Sequence, residues 1–498
     1  MNVRTDTPAL AVEKLAVLHG ERALVREVSL TIPACGVLTL LGESGSGKSL
    51  LAQAIMGNLP PPLRCEGRVA IGGDQTPAFE QRSRHGLWGR RLALLPQEPW
   101  LALDPTMRVR EQVAETYALV GRSSERAAGS GSWRGARALA ERALASLGLG
   151  DAAHKYPLML SGGMAQRVAF LATHAAGAPL MIIDEPTKGL DADRRGEVLD
   201  LLRAAQGQGM SLLCITHDIW LARALGGQLA VMLDGALIEQ GEAAQVLAAP
   251  RHDYTRRLLA ADPGNWPAWH DSMPAPRGGA IVQIDGVAKS FGRQVLFSDV
   301  DAQVAGGEIV AVSGPSGSGK TTFGNIVLGL TRPDRGRVQR ASGLAPAAFQ
   351  KIQQDPGAAF APRIRLRQSL QDLVQLHRLD WTQLEATLER MRLAPALLDR
   401  LPHQVSGGEL QRIALARVLL MKPALIFADE PTSRLDPVTQ QDVFALLREQ
   451  VSEQVSEQVS DARCALLLVT HDAEIVRSVA QRRITLGAGD RDREAENA

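Results

Sequence analysis

Gly42-Glu43-Ser44-Gly45-Ser46-Gly47-Lys48-Ser49 decides how this sequence is read, because it returns as Gly314-Pro315-Ser316-Gly317-Ser318-Gly319-Lys320-Thr321. An apolar run precedes each copy, Val37 to Leu41 in the first and Glu308 to Ser313 in the second. Helix-forming residues, Lys48 to Met56, follow the first copy. A buried strand, a glycine-rich loop and a helix in that order make a phosphate cradle. The glycines let backbone N–H groups converge on phosphate oxygens, and the helix N-terminus adds positive potential. Lys48 and Lys320 can reach the β- and γ-phosphates, and the Ser49 and Thr321 hydroxyls can ligate Mg²⁺. A single loop of this kind could serve another phosphate-loop NTPase or arise by accident. Two in register with the motifs downstream argue against accident.

Three further motifs recur in the same order. Leu160-Ser161-Gly162-Gly163-Met164-Ala165-Gln166-Arg167 returns as Val405-Ser406-Gly407-Gly408-Glu409-Leu410-Gln411-Arg412. Ile182-Ile183-Asp184-Glu185-Pro186-Thr187 returns as Phe427-Ala428-Asp429-Glu430-Pro431-Thr432, and Ile215-Thr216-His217-Asp218 as Val469-Thr470-His471-Asp472. The interval from Ser161 to Asp184 equals that from Ser406 to Asp429, 23 residues in both. This is a tandem duplication. Leu180 to Ile183 and Leu425 to Ala428 read as buried strands that bring Asp184 or Asp429 to a Mg²⁺ shell. The next residue, Glu185 or Glu430, is then placed to polarise an attacking water. Ser211 to Thr216 and Ala465 to Thr470 are further apolar strands delivering His217 and His471 to the same edge. A lone histidine there is more often structural, and its pairing across the repeat favours a γ-phosphate contact.

The chain has 498 residues, against roughly 100–200 for one domain, so more than one is expected. The repeat sets the limits: a first domain over 1–262, a linker over 263–280 and a second domain over 281–498. The linker is rich in Pro and Gly, with Trp266 and Trp269 expected to pin it to one domain. A net charge of +1 leaves no footprint of a dedicated nucleic-acid binder. Cys35, Cys65, Cys214 and Cys464 show no metal-ligand spacing and read as buried free thiols in a reducing compartment. Met1 to Val17 lacks the features of a signal peptide, and no run reaches the ~18–20 apolar residues that span a bilayer. The chain is therefore expected to lie in the cytosol or to reach a membrane through partners. Gly121 to Gly135 reads as a mobile surface loop, and the repeats from Val451 to Ser460 as a helix extension.

With Ser-Gly-Gly-x-x-Gln-Arg upstream of Asp-Glu in both halves, nearly the whole chain resembles the ATP-binding-cassette (ABC) family. The resemblance implies an α/β fold with two phosphate-loop NTPase domains in tandem, each with a RecA-like core and a helical subdomain. It implies that Ser161-Gly162-Gly163 and Ser406-Gly407-Gly408 begin a helix and complete the γ-phosphate site of the opposite domain. Gln97 and Gln354 match the family's Q-loop, which contacts Mg²⁺ and water and relays closure to a membrane partner. Lys188 to Asp191 and Ser433 to Asp436 occupy its D-loop position. Phe291 fits the adenine-stacking position, and His19 stands there in the first copy, each 23 residues before its phosphate loop. An imidazole stacks less well. Two composite sites for ATP and Mg²⁺ are implied, the cassettes pairing within one chain. Both glutamates and both signature serines are present, so both sites are expected to hydrolyse.

Gln97 to Pro105, Tyr156 to Met164, and the tail Pro250-Arg251-His252-Asp253-Tyr254-Thr255 resemble the oligopeptide, dipeptide and nickel importer branch. The second copy fits that branch less well. Its loop-to-signature interval from Lys320 to Ser406 is 86 residues, against 113 from Lys48 to Ser161, and no such tail follows His471. The branch implies two membrane permeases and an extracytoplasmic solute-binding protein. It places the chain peripherally on the cytoplasmic face of the inner membrane, driving import of a peptide, nickel or metal chelate. The alternative is a soluble ABC protein of a ribosome-associated or phosphonate-degradation-like complex. The short, nearly uncharged linker speaks against the ribosomal form.

Overall fold

The computed structural model describes residues 7–120, 133–188, 190, 192–269, 279–315, 317–433, 435–452 and 464–487. Ser316, Asp191, most of the loop from Gly121 and most of the repeats after Val451 lie outside the described residues. The chain divides into two compact units, Met1–Ala260 and Ala261–Ala498.

In the first unit β1 (Leu10–His19), β2 (Arg22–Ile32), β4 (Arg64–Ile71) and β5 (Asp74–Pro77) form an antiparallel sheet in the order β2-β1-β4-β5. A second sheet runs β10-β9-β3-β8-β7-β6. Its members are β3 (Val37–Gly42), β6 (Leu92–Leu95), β7 (Leu180–Asp184), β8 (Ser211–Thr216), β9 (Gln228–Leu233) and β10 (Ala236–Glu242). All are parallel except the edge hairpin partner β10. Helix α1 (Lys48–Met56) follows β3. Between β6 and β7 come α2 (Val109–Leu119), α3 (Trp133–Ser146) and α4 (Gly162–His174). Helices α5 (Ala192–Gly207), α6 (Ile219–Leu225), α7 (Ala243–Ala248) and α8 (Asp253–Ala260) complete the unit.

The central strands β3, β7 and β8 are buried and mostly apolar because both faces are covered, as is general for such sheets. Leu180 and Ile182 of β7, with Leu213 and Ile215 of β8, pack toward α1 and the antiparallel sheet. The alternating residues, Met181, Ile183, Leu212 and Cys214, pack toward the helical side, with Val168 of α4 and Leu202 of α5. One sheet thus separates two apolar cores.

The second unit repeats this plan. β11 (Ala280–Phe291), β12 (Gln294–Ala305) and β14 (Arg335–Arg340) make the antiparallel sheet, ordered β12-β11-β14. β13 (Ile309–Ser313), β15 (Phe349–Ile352), β16 (Leu425–Asp429), β17 (Ala465–Val469) and β18 (Arg482–Thr485) make a parallel sheet, ordered β15-β16-β17-β13-β18. Helix α9 (Lys320–Val327) follows the glycine-rich loop. Helices α10 (Leu366–His377), α11 (Trp381–Arg390) and α12 (Gly407–Leu420) form the helical part, and α13 (Pro437–Ser452) and α14 (Ala473–Val479) close the unit. Leu467 and Val469 face one core, Leu466 and Leu468 the other. Among the described residues no strand corresponds to β10, and none to β5.

The first part of the expected linker, residues 263–269, is packed. Trp266 and Trp269 are buried in the second unit's core and stack face to face, with ring centroids 4.8 Å apart. Phe444 of α13 meets Trp266 edge-on, and the Arg448 guanidinium lies over Trp269. Residues 261–269 therefore belong to the second unit, and only 270–278 of the expected linker fall outside the described residues. Among the described residues no helix is long and apolar enough to cross a membrane. All four cysteines are free; Cys65, Cys214 and Cys464 are buried as expected, but Cys35 is exposed.

Candidate nucleotide site

In both units a buried central strand, β3 or β13, turns through the glycine-rich loop into α1 or α9. Gly47 and Gly319 hold the turn at φ 99° and 89°, in the left-handed region that glycine enters at least cost. A Cβ on Gly319 would come within 2.9 Å of Leu296 Cδ1. Lys48 is buried, and its Nζ donates to the carbonyl oxygens of Gly42 and Glu43, each at 2.8 Å. Lys320 does the same toward Gly314 and Pro315, at 2.7 and 3.0 Å. Each loop is thus wound round its own ammonium group.

Parallel pairing brings the other motif residues to the strand ends beside these loops. Asp184, the last residue of β7, pairs with Ile215 of β8, and Asp429 of β16 pairs with Val469 of β17. The Ser49 hydroxyl donates to Asp184 Oδ2 at 2.8 Å, and the Thr321 hydroxyl donates to Asp429 Oδ2 at 2.7 Å. The next residue is strained in both units: Glu185 and Glu430 each have φ 51°. A non-glycine residue held there costs on the order of 1–3 kcal/mol and persists only where its surroundings impose it. The N–H of Glu185 is bonded to Ile215 O at 2.8 Å, and that of Glu430 to Val469 O at 2.9 Å. From the signature helices, Gln166 Nε2 donates to Pro186 O at 3.1 Å and Gln411 Nε2 to Glu430 O at 3.2 Å. The sequence motifs contain these two glutamines, and only the fold reveals what they bind.

The histidines differ in detail. His217 Nδ1 lies 2.8 Å from Glu185 Oε2, whereas His471 Nε2 lies 3.7 Å from Glu430 Oε1. Burial pushes the Glu185 carboxyl up, but the His217 imidazole beside it wins and holds it below the usual range. Burial alone would lower His217, and Glu185 reverses that. At Glu430, burial with the adjacent Asp429 charge holds the carboxyl up at about 7. Asp184 is also raised, by burial first and by Glu185 after it, against the Ser49 hydrogen bond.

Two adjacent buried carboxylates call for a cation, and Asp184 Oδ1 is buried without a hydrogen-bond partner. A hydroxyl and a carboxylate are hard oxygen ligands that suit Mg²⁺, which keeps several waters and takes substrate phosphates as well. Among the described residues no group of three or more His, Cys, Asp or Glu is gathered for a metal. The residues fit a metal that arrives with its nucleotide.

Gln97 and Gln354 each lie two residues beyond the strand, β6 or β15, that pairs with the Asp-bearing strand. Among the described residues neither hydrogen-bonds the Asp-Glu pair. Ser161 and Ser406 cap α4 and α12, accepting from Met164 N at 3.4 Å and Glu409 N at 3.3 Å. The Ser406 N–H in turn donates to Glu409 Oε2, closing a capping box. Both serines are exposed, each at the N-terminus of a long helix. His19 and Phe291 end β1 and β11 at the tips of their hairpins, pairing with Arg22 and Gln294, and both are exposed. Glu239 of β10 accepts the N–H groups of Arg251 and His252 in the tail, anchoring α8.

The sequence matches the profile described as ABC transporter over residues 25–188 and again over 297–433. The chain belongs to the ABC transporter family. It is a tandem ABC ATPase, of the class that hydrolyses ATP to drive transport. It is 32% identical to the uncharacterized ABC transporter ATP-binding protein YejF of Escherichia coli, over 97% of this chain and 94% of that one. The peptidoglycan transport ATP-binding protein YejF of Agrobacterium fabrum is 31% identical, over 98% and 93%. The glutathione import ATP-binding protein GsiA of Salmonella choleraesuis is 31% identical, over 92% and 81%. Among solved structures, the RNase-L Inhibitor aligns over 96% of this ABC chain and 88% of its own, with TM-score 0.64 at 20% identity. That likeness shows the fold.

Proposed function

We infer that this chain is the energy-coupling subunit of an importer for a peptide-type solute, working with two membrane permeases and an extracytoplasmic solute-binding protein. Glutathione is itself a peptide, and peptidoglycan carries peptide stems, so the solutes of these two relatives share peptide chemistry. On this reading the chain sits on the cytoplasmic face of the membrane, held there by the permeases.

The observation that supports hydrolysis at both sites is the repeated hydroxyl-to-carboxylate bond, Ser49 to Asp184 and Thr321 to Asp429, with a strained glutamate following each aspartate. Ser49 with Asp184, and Thr321 with Asp429, would hold Mg²⁺, assisted by Gln97 and Gln354. Bound there, Mg²⁺ neutralises charge on the β- and γ-phosphates. The loop residues Gly42, Glu43, Ser44, Gly45, Ser46 and Gly47, with Gly314, Pro315, Ser316, Gly317, Ser318 and Gly319, surround the phosphates. Lys48 and Lys320 exchange their loop carbonyls for phosphate oxygens. Glu185 and Glu430 orient the attacking water, and His217 and His471 hold the γ-phosphate. Ser161-Gly162-Gly163 and Ser406-Gly407-Gly408 present helix N-termini suited to the same anion. Phe291 and His19 stack on adenine.

Glu185→Gln and Glu430→Gln, made singly in the complete chain, should each reduce ATP turnover strongly while ATP still binds. Turnover assayed with radiolabelled ATP beside equilibrium nucleotide binding checks this. Full turnover in either variant would remove that glutamate from the chemistry. Stimulation of turnover by a peptide-loaded binding protein in permease-containing vesicles tests the solute class.

A further inference from the structure

We propose that Gln166 and Gln411 are positioning residues for ATP hydrolysis, each clamping through one hydrogen bond the backbone turn that aims Glu185 or Glu430. The inference rests on the hydrolytic role read above for those glutamates.

A glutamate at φ 51° relaxes to a commoner conformation unless both flanking peptide groups are fixed. The strand beyond fixes one side, through Ile215 O or Val469 O. On the other side of the turn the Lys188 and Ser433 N–H groups donate to Glu185 O and Glu430 O at 3.3 and 3.4 Å, and the Ser433 hydroxyl also reaches Glu430 O at 3.3 Å. To these long bonds a glutamine amide adds a shorter one, to Pro186 O in the first unit and to Glu430 O in the second. The donors are buried side chains, Gln166 at 7% and Gln411 at 1% exposure, in the second turn of the helix that Ser161 or Ser406 caps. A buried glutamine at the matching helix position reaches the turn in both units, at carbonyls one residue apart, although the surrounding loops differ in length. Each unit therefore ties the helix whose N-terminus is offered to an anion to the turn that carries its own carboxylate.

Gln411 also separates positioning from plain stability. Its Oε1 is buried without a partner. Removing a buried amide whose acceptor is unsatisfied relieves a cost as well as losing a bond. Methionine, of similar length and without a donor, should leave folding nearly unchanged while freeing the turn.

The test is the double variant Gln166→Met, Gln411→Met in the complete chain, assayed for kcat, KM for ATP and melting temperature. Misplacing a catalytic group by about 1 Å can cost up to about a hundredfold in rate. The expected result is a fall in kcat of about tenfold or more, with KM changed less than about twofold and the melting temperature held. Should the pair melt early, kcat is read well below the lowered transition, where the chain is folded. A kcat equal to that of the parent chain, in either case, overturns the proposal. Glu185→Gln with Glu430→Gln runs alongside. If that pair keeps turnover, the hydrolytic reading fails; if it is inactive while the methionine pair is not, only the clamp fails.

Discussion

At the scale of single residues, the two units solve one packing problem in two ways. Gly324 lies four residues after Lys320 on α9, and a Cβ there would fall 2.1 Å from Phe427 Cζ. In the first unit the matching positions are Ala52 and Ile182, both buried in one core. A larger strand side chain is thus matched by a smaller helix residue. Gly324→Ala should destabilise the second unit by about 1–3 kcal/mol, the usual cost of overpacking, even though alanine is the better helix former. Adding Phe427→Ile should restore stability to near the parent value, since it recreates the pairing of the first unit. Denaturant unfolding of the complete chain measures both. Gly324→Ala without loss, or no recovery in the double variant, would show that the ring is not what demands the glycine.

At the scale of elements, the central strands were legible because a sheet covered on both faces leaves a mostly apolar run, broken chiefly at its ends. Ser211 to Thr216 matches β8 at both ends, and Ala465 to Thr470 exceeds β17 by one residue. What supports the helix after each phosphate loop was not legible. The last carbonyls of a helix need partners from outside it. For α1 they come from the segment between β5 and β6: fully buried Arg84 donates to Ala54 O, Trp88 Nε1 donates to Met56 O, and His85 Nε2 lies 2.9 Å from Gly57 O. For α9 the partner is Arg340 of β14, donating to Val327 O. No local pattern announces such long-range caps, although the longer loop-to-signature interval of the first copy is where the extra segment lies. The tryptophans were legible as an anchor, and the structure shows how firmly they are packed. Trp266 is buried to 3% exposure, and its indole N–H donates to Ala261 O at 2.9 Å. Trp266→Ala should cost about 3–5 kcal/mol in the second unit. Unfolding followed at a probe within that unit would reveal it, and a loss below about 1 kcal/mol would reduce the stacked pair to surface decoration.

At the scale of the whole molecule, duplication gives each nucleotide site an internal control, and the clearest chemical difference between the copies is the ring at the hairpin tip. Phe291 is 59% exposed and presents a phenyl ring beside Lys289, whose Nζ lies 5.7 Å from its centre. His19 presents an imidazole at the matching position of β1. Stacking between aromatic rings contributes roughly 0.5–1.5 kcal/mol beyond area burial, and the smaller, more hydrated imidazole captures less of it. The first site should therefore bind ATP more weakly than the second by a margin set mostly at this position. Measuring it requires one site at a time. With Lys320→Ala disabling the second loop, His19→Phe should tighten ATP binding at the first by a few-fold, up to about twelvefold if the imidazole captures almost none of that energy. With Lys48→Ala disabling the first, Phe291→His should weaken the second by a similar factor. Calorimetric titration with Mg-ATP reads both directions, and chelating Mg²⁺ should weaken binding in every variant, because the phosphate contacts do not depend on the ring. Equal affinities with and without His19→Phe, with binding still lost on Lys48→Ala, would mean that adenine does not rest on this hairpin. The difference between the copies would then have to be sought in the phosphate loops themselves.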